Sequence, residues 1–483
     1  MRLTFSILFT LISIISFGQK ENLNETSKKI NTYLSEIEKV GFNGSVIIEL
    51  NGDIYSKGFG FSDKEKAIRN TSQTVFDIGS LTKQFTSAAI LKLEMQARLS
   101  TEDKISKYFP NIPNDKQTIT IHHLLRHRSG LVDNIGDDYD KITKDEFLKQ
   151  VFDEPLSYEI GSTYFYSNVG YSLLAMIIEQ VSEKSYEEYL YDNIWKPAQM
   201  EMTGYTRPHF IENLIANGYT ENDSIWGKPN DKPWDNKAPF WHLTGNGGIL
   251  STTEDMYKWH RALKSNIALS GEAVKKLYYP TLTNNETTEY YYGYGWVVEN
   301  TDRNTRKISH NGSNGIFFAD FHRFIDEDIM ILHLTNNLHP NFSNLNQEIG
   351  KIIFSSDYIP VIPIEDNKTN RSFTDRIVEI IAKQGLENAK SEYALKNSNK
   401  NILEFVMRQK GSEYLKNNQN DIAIQIFQMN LHAFPNSTRA LQGLGIAYNK
   451  LGNKDLALKY LNESLRINPE NHSLKEYIEK IEN

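Results

Sequence analysis

The 483 residues include no cysteine. That absence removes disulfides, thiolate metal sites, a cysteine nucleophile and a lipid-bearing cysteine together. No basic block stands out either: Lys plus Arg number 53 against 61 for Asp plus Glu, a net charge of −8. A chain without a cationic stripe cannot neutralise a phosphate backbone, so nucleic acid is not an expected partner. There is no phosphate-cradling glycine loop and no dinucleotide fingerprint, and no cofactor is expected. What remains is ordinary globular composition, 39% hydrophobic and 24% charged, which argues against disorder, collagen and a multi-pass membrane protein. Chemistry must come from Ser, His, Lys, Tyr and carboxylates.

Arg2 precedes a mostly apolar run from Leu3 to Phe17, then Gly18, Gln19 and the polar stretch Lys20 to Lys29. This order predicts a signal peptide over 1–18, with export to the periplasm or the exterior. The run is shorter than the ~20 residues that span a bilayer, and no later segment approaches it, so no stable span is expected after its removal.

Gly44 to Leu50, the turn Asn51-Gly52-Asp53 and Ile54 to Phe61 read as a hairpin. Apolar spacing from Ser80 to about Ala97 predicts a helix with a buried face. A mostly helical stretch follows to about Met200, with Val169 to Val181 its clearest buried helix. The spacing Ser251-Thr-Thr-Glu254 predicts a capping box, and Tyr290 to Val298, Lys307 to Phe321 and Ile329 to Leu334 read as three strands. Strands flanking a helical middle predict an α+β fold with an antiparallel sheet over 19–365. A linker with helices is expected over 366–400. Beyond it, Gly411, Tyr414, Ala423, Phe427 and Pro435 recur 34 residues later as Gly445, Tyr448, Ala457, Leu461 and Pro469. That is the period of tetratricopeptide helix pairs, so 401–483 is expected to be all-α, with Ser473 to Ile481 as a closing helix. Two repeats alone bury little, so the helices of about Asp375 to Val406 should extend the stack.

Ser80-Leu81-Thr82-Lys83 is the only Ser-x-x-Lys in the chain. A serine hydroxyl becomes a nucleophile only when a base takes its proton, and a desolvated lysine one helical turn away can be that base. Near a helix N-terminus, free N–H groups also favour developing negative charge. Taken alone, the motif reads more readily as a helix-capping serine with a solvated lysine. Tyr166-Ser167-Asn168, between an aromatic loop and a buried helix, and His310-Asn311-Gly312, on a predicted strand, complete an ordered series with it. Other matches are set aside: Tyr191-Asp192-Asn193 inside a helical run, and Lys383-Gln384-Gly385 and Lys450-Leu451-Gly452 in the helical C-terminal region. His123 and His127 stand four apart on a predicted helix, without the glutamate of a zinc protease, and read as packing or surface histidines.

In the order Ser-x-x-Lys, Tyr-x-Asn, His-x-Gly, the chain from about Ile30 to Tyr358 resembles the serine β-lactamase and penicillin-binding-protein family. The likeness is to the branch of class C β-lactamases, D-aminopeptidases and related esterases. Leu124 to Leu131, Gly247 to Thr252 and Tyr292 to Trp296 are lesser echoes. The resemblance implies a transpeptidase-like fold and an acyl-enzyme mechanism. Ser80 would be the nucleophile, Lys83 and Tyr166 would share the general-base work, and Asn168 would hydrogen-bond Lys83 and the acyl side chain. Backbone N–H groups of Ser80 and Ser313, the residue after Gly312, would hold the oxyanion. Where class C β-lactamases carry Lys-Thr-Gly, this chain has His310, mostly neutral at pH 7 and ill-suited to a β-lactam carboxylate. A small ester, amide or D-amino-acid peptide is therefore the expected substrate, with a protein partner for the repeats. The alternatives are a true β-lactamase or D,D-carboxypeptidase, and an inactive fold kept as a binding scaffold. Trp226, Trp234, Trp241 and the tyrosines around Tyr290 could line an acyl pocket or simply fill the core.

Overall fold

The computed structural model describes residues 25–220, 223–232, 239–279, 290–365, 368–396, 399–468 and 471–482. The apolar N-terminal run, Trp234 and Pro469 lie outside the described residues. Seven strands form the main sheet: β1 (Gly44–Leu50), β2 (Asp53–Phe59), β3 (Tyr290–Tyr292), β4 (Val297–Asn300), β5 (Arg306–Ser313), β6 (Phe318–Phe324) and β7 (Ile329–Thr335). Their order is β2-β1-β7-β6-β5-β4-β3, with every neighbouring pair antiparallel. β1 and β7, far apart in sequence, meet near the middle.

Because side chains alternate between the faces of a strand, the register decides which residues share a face. Ile47 lies opposite Leu332, Leu332 opposite Phe321, and Phe321 opposite His310. The first three join one large apolar core with Phe85, Ala88 and Ala89 of the Thr82–Met95 helix and with the Asn168–Ser182 helix. His310 therefore faces that helical side. The alternate row, Val46, Ile48 and Ile331, packs on the opposite face against the helices Glu25–Lys39 and Leu345–Phe354.

Two sequence expectations change. The three late strands are five, because glycines break the first and a turn breaks the second. A side chain at Gly293 would collide with the Leu277 carbonyl, and Gly295 has φ +72°, a conformation that costs glycine little. After β5, Gly315 has φ +85°, and Asn314 Oδ1 accepts the N–H groups of Ile316 at 3.0 Å and Phe317 at 2.8 Å. Secondly, the helix Thr253–Lys264 is capped by Thr252, whose hydroxyl accepts the Asp255 N–H at 3.1 Å. Ser251, the expected cap, instead pairs with Phe76 in a short ribbon.

The C-terminal region folds as helices Lys368–Gln384, Leu386–Ala394, Glu404–Lys416, Asn420–Ala433, Thr438–Lys450, Lys454–Ile467 and His472–Glu482. The first four share one core through Phe373, Ile377, Ala389, Met407 and Ile426. The 34-residue period has a physical counterpart: Phe427 packs on Gly411 and Gly443, and its counterpart Leu461 packs on Gly445. This array meets the sheet domain where the Phe405 ring lies 4.9 Å from that of His339 and Ile364 joins Leu403 and Val406. No helix among the described residues is long and apolar enough to cross a membrane.

Candidate active site

Ser80 lies in a 3-10 turn, Gly79–Leu81, that runs into the Thr82–Met95 helix. Gly79, at φ +50°, could carry no side chain without striking Gly312 and Ser313, and a side chain on Gly312 would strike the Ile78 carbonyl and come within 2.6 Å of the Ser80 nitrogen. Two glycines thus let the end of β5 abut the serine turn, bringing the Ser80 and Ser313 backbones together. Asp77 pins the same junction, accepting from Gly79 N at 2.7 Å and from Asn314 Nδ2 at 2.9 Å. Burial pushes its carboxyl up to about 6 against those two hydrogen bonds.

Lys83 is fully buried. Its Nζ lies 3.1 Å from Ser80 Oγ, 2.6 Å from Asn168 Oδ1 and 2.8 Å from the Asn246 carbonyl. Burial lowers its pKa from 10.5 to about 7, although the charges of Asp133 and Asp138 pull the other way. The consequence is chemical. A neutral amine has two N–H donors and one lone pair. The Asn246 carbonyl can only accept, and so can Asn168 Oδ1, so these two take the N–H groups. Of these three partners only the Ser80 hydroxyl can donate to the lone pair. The Asn168 amide orientation is fixed in turn, because its Nδ2 donates to Asp133 Oδ1 at 3.2 Å and Asn134 Oδ1 at 2.9 Å.

Tyr166 immediately precedes Ser167, the cap of the Asn168–Ser182 helix. Lys83 Nζ lies over its ring, 4.8 Å from the centroid, within cation–π range when the amine is charged. The His310 ring lies 6.4 Å from that of Tyr166. His310 places Nδ1 at 2.5 Å from the Asn311 carbonyl, which can only accept, so the proton sits on Nδ1 and Nε2 accepts from the Tyr292 hydroxyl at 2.9 Å. Burial, reinforced by Lys83, lowers its pKa to about 4. The imidazole is therefore neutral at pH 7.

Every residue singled out in the sequence, Ser80, Lys83, Tyr166, Asn168, His310, Gly312 and Ser313, falls in this one region. Three residues were missed. Tyr292 partners His310. Asn246 supplies the carbonyl that holds Lys83. His127 clamps Tyr166 from both sides in sequence: its carbonyl accepts the Phe165 N–H at 2.8 Å and its Nδ1 accepts the Ser167 N–H at 3.0 Å. Its ring also lies 4.2 Å from the Tyr166 ring. The expected helical His123/His127 spacing does not occur, because the helix ends at Leu125 and His127 has φ +55°. His123 instead accepts the Thr120 N–H at 3.2 Å as part of a capping box. Trp226 and Trp241 are partly buried against the main core, Trp226 within ring contact of Tyr139 and Phe317.

The chain belongs to the β-lactamase family, whose members are serine hydrolases: the Beta-lactamase family model matches residues 42–351. A tetratricopeptide repeat model matches residues 438–471. Penicillin-binding protein 4* of Bacillus subtilis is 32% identical over 353 residues, covering 68% of this chain and 77% of that protein. The octameric penicillin-binding protein homologue from Pyrococcus abyssi superposes with a TM-score of 0.58 at 25% identity, over 74% of this chain and 82% of that one. D-amino acid amidase from Ochrobactrum anthropi SV3 shares the fold, with a TM-score of 0.59 at 22% identity, over 69% of this chain and all of that one.

Proposed function

We propose that the protein is an exported serine hydrolase that acts through an acyl-enzyme on a small ester, amide or D-amino-acid peptide, with its tetratricopeptide region docking a protein partner. The observation that carries the reading is the Lys83 amine, buried, depressed to about 7 and placed to take a hydrogen bond from the Ser80 hydroxyl. Ser80 Oγ attacks the substrate carbonyl and its proton passes to Lys83. Tyr166, beside Lys83, relays that proton to the departing alcohol or amine. Water then attacks the acyl-enzyme, giving up its proton along the same route, and Ser80 is regenerated with release of the acid. Backbone N–H groups of Ser80 and Ser313 stabilise the oxyanion, and Asn168 orients Lys83 and the acyl side chain.

Substrate charge follows from the walls. With His310 neutral there is no fixed cation in that position to hold a β-lactam carboxylate. Asp133 and Asp138 lie close enough for their charges to act on Lys83, which favours an acyl group bearing an amine over one bearing a carboxylate. The test has two parts. A fluorophosphonate probe should label the wild type and not Ser80→Ala; absence of labelling in folded wild type would make the fold a scaffold. Among nitrocefin, a p-nitrophenyl ester and a D-Ala-D-Ala peptide, the ester should turn over fastest, and a preference for the D-Ala-D-Ala peptide would instead mark a D,D-carboxypeptidase. If nitrocefin is the best substrate, the protein is a β-lactamase and the weight placed on His310 is wrong.

A further inference from the structure

A second hollow, of about 380 Å³, is lined by Glu102, His122, Arg126, Lys275, Lys276, Tyr279 and Tyr294. None of these residues belongs to the proposed catalytic set. Arg126 is the anomaly in it. Its side chain is buried, with 5% of the residue exposed, yet it forms no ion pair with a described carboxylate. One Nη contacts His122 Nε2 at 3.4 Å, the other donates to the Tyr279 carbonyl at 3.3 Å, and Nε has no acceptor among the described residues. Burying a guanidinium without an anion is expensive, and proteins ordinarily pair such a charge.

The neighbours do not relieve it. His122 is held neutral, its pKa lowered to about 4 by burial and by Arg126. Its Nε2 faces the guanidinium, and its Nδ1 lies 2.6 Å from the Tyr294 hydroxyl. Lys276 is already answered by Glu94, at 2.7 Å, and by Thr101. Lys275 is exposed and has no ion-pair partner among the described residues. Among the described residues lining the hollow, Glu102 alone stands against Arg126 and Lys275, which leaves a surplus of one positive charge there. The Tyr279 and Tyr294 rings supply flat, apolar surface around it.

From Arg126, buried with no carboxylate partner among the described residues, and the cavity it lines, we infer that this hollow binds a small organic anion, a carboxylate or phosphate group carried on a flat or apolar body. The guanidinium holds the oxyanion through paired N–H donors, Lys275 adds charge at the rim, and the tyrosine rings contact the body of the ligand.

Unfolding followed by tryptophan fluorescence tests this directly, with inorganic phosphate, phenyl phosphate and benzoate as probes at an ionic strength held constant with sodium chloride. All six tryptophans lie between Trp195 and Trp296, so the signal reports the domain that contains the hollow. The expected result is a saturable rise in Tm, larger for phenyl phosphate or benzoate than for phosphate, that disappears in Arg126→Gln and is weakened several-fold in Lys275→Glu. Comparing phenyl phosphate with benzoate tells phosphate from carboxylate preference. A flat response to all three probes, or equal saturable shifts in the wild type and Lys275→Glu, would overturn the assignment. Lys275 is exposed, so its variant decides the question even if Arg126→Gln does not fold.

Discussion

Replacing Lys83 by methionine removes the amine while keeping an unbranched chain of similar length, and the effect on stability should change sign with pH. The wild-type lysine has an ordinary pKa of 10.5 when unfolded and about 7 when folded. Between those values the unfolded chain binds more protons than the folded one, so wild-type stability rises with pH through that window. At about 1.4 kcal/mol per tenfold change in proton affinity, burying this lysine costs roughly 5 kcal/mol at pH 6 and roughly 2 kcal/mol at pH 9. Methionine escapes that cost. It forfeits three hydrogen-bond contacts, to Ser80, Asn168 and Asn246, at about 1 kcal/mol each. The balance makes Lys83→Met more stable than the wild type by ~2 kcal/mol at pH 6 and less stable by ~1 kcal/mol at pH 9, while hydrolysis is abolished. Urea unfolding at the two pH values, read from tryptophan fluorescence, measures the difference, and Ser80→Ala serves as a control that should show no such crossing. A constant difference between Lys83→Met and the wild type across this range would mean that the folded lysine keeps its ordinary pKa. The general-base role assigned to it would then lose its basis.

Other consequences follow from the same geometry. Ester hydrolysis should rise with pH through about 7 as Lys83 loses its proton, and a pH profile of kcat/KM that is flat from pH 5 to 9 would contradict the assignment. His127→Phe keeps a ring against Tyr166 but loses the acceptor for the Ser167 N–H; kcat should fall by roughly 10- to 100-fold with KM little changed, whereas a pure loss of stability would leave kcat intact at low temperature. Gly312→Ala drives a side chain into the Ile78 carbonyl, backbone that cannot swing aside, so probe labelling of Ser80 should drop sharply in protein whose fluorescence remains native. Gly445→Ala should destabilise the C-terminal helices by ~1–3 kcal/mol through overpacking, because the new methyl collides with Leu461. Circular dichroism detects that loss without any change in tryptophan emission, and Leu461→Ala in the same chain should recover part of it.

What could be read from the sequence, and what could not, follows the range of the interaction involved. The 34-residue period was legible because each repeat reproduces the same local contact, a glycine on one helix seating an apolar side chain on the next, as Phe427 on Gly411 and Leu461 on Gly445. The turn that carries Ser80 and the buried Asn168–Ser182 helix were legible for a similar reason, since the signals of each lie within a few residues. Strand boundaries were not. Gly293 and Gly315 occur inside runs rich in β-forming residues, and only the approach of Leu277 to Gly293, or the left-handed conformation at Gly315, shows that the chain must turn there.

His127 is the most instructive omission. It stands in Leu124 to Leu131, a segment noticed only as a family echo, and its spacing from His123 suggested a helix face that does not exist. Its left-handed backbone turns the chain so that carbonyl and ring nitrogen together grip the residues on either side of Tyr166. Nothing in the order of residues links position 127 to position 166. The link arises because the helix holding Ser167 as its cap packs against the helix that ends just before His127, and the phenol proposed to move the proton is held from behind by that pairing.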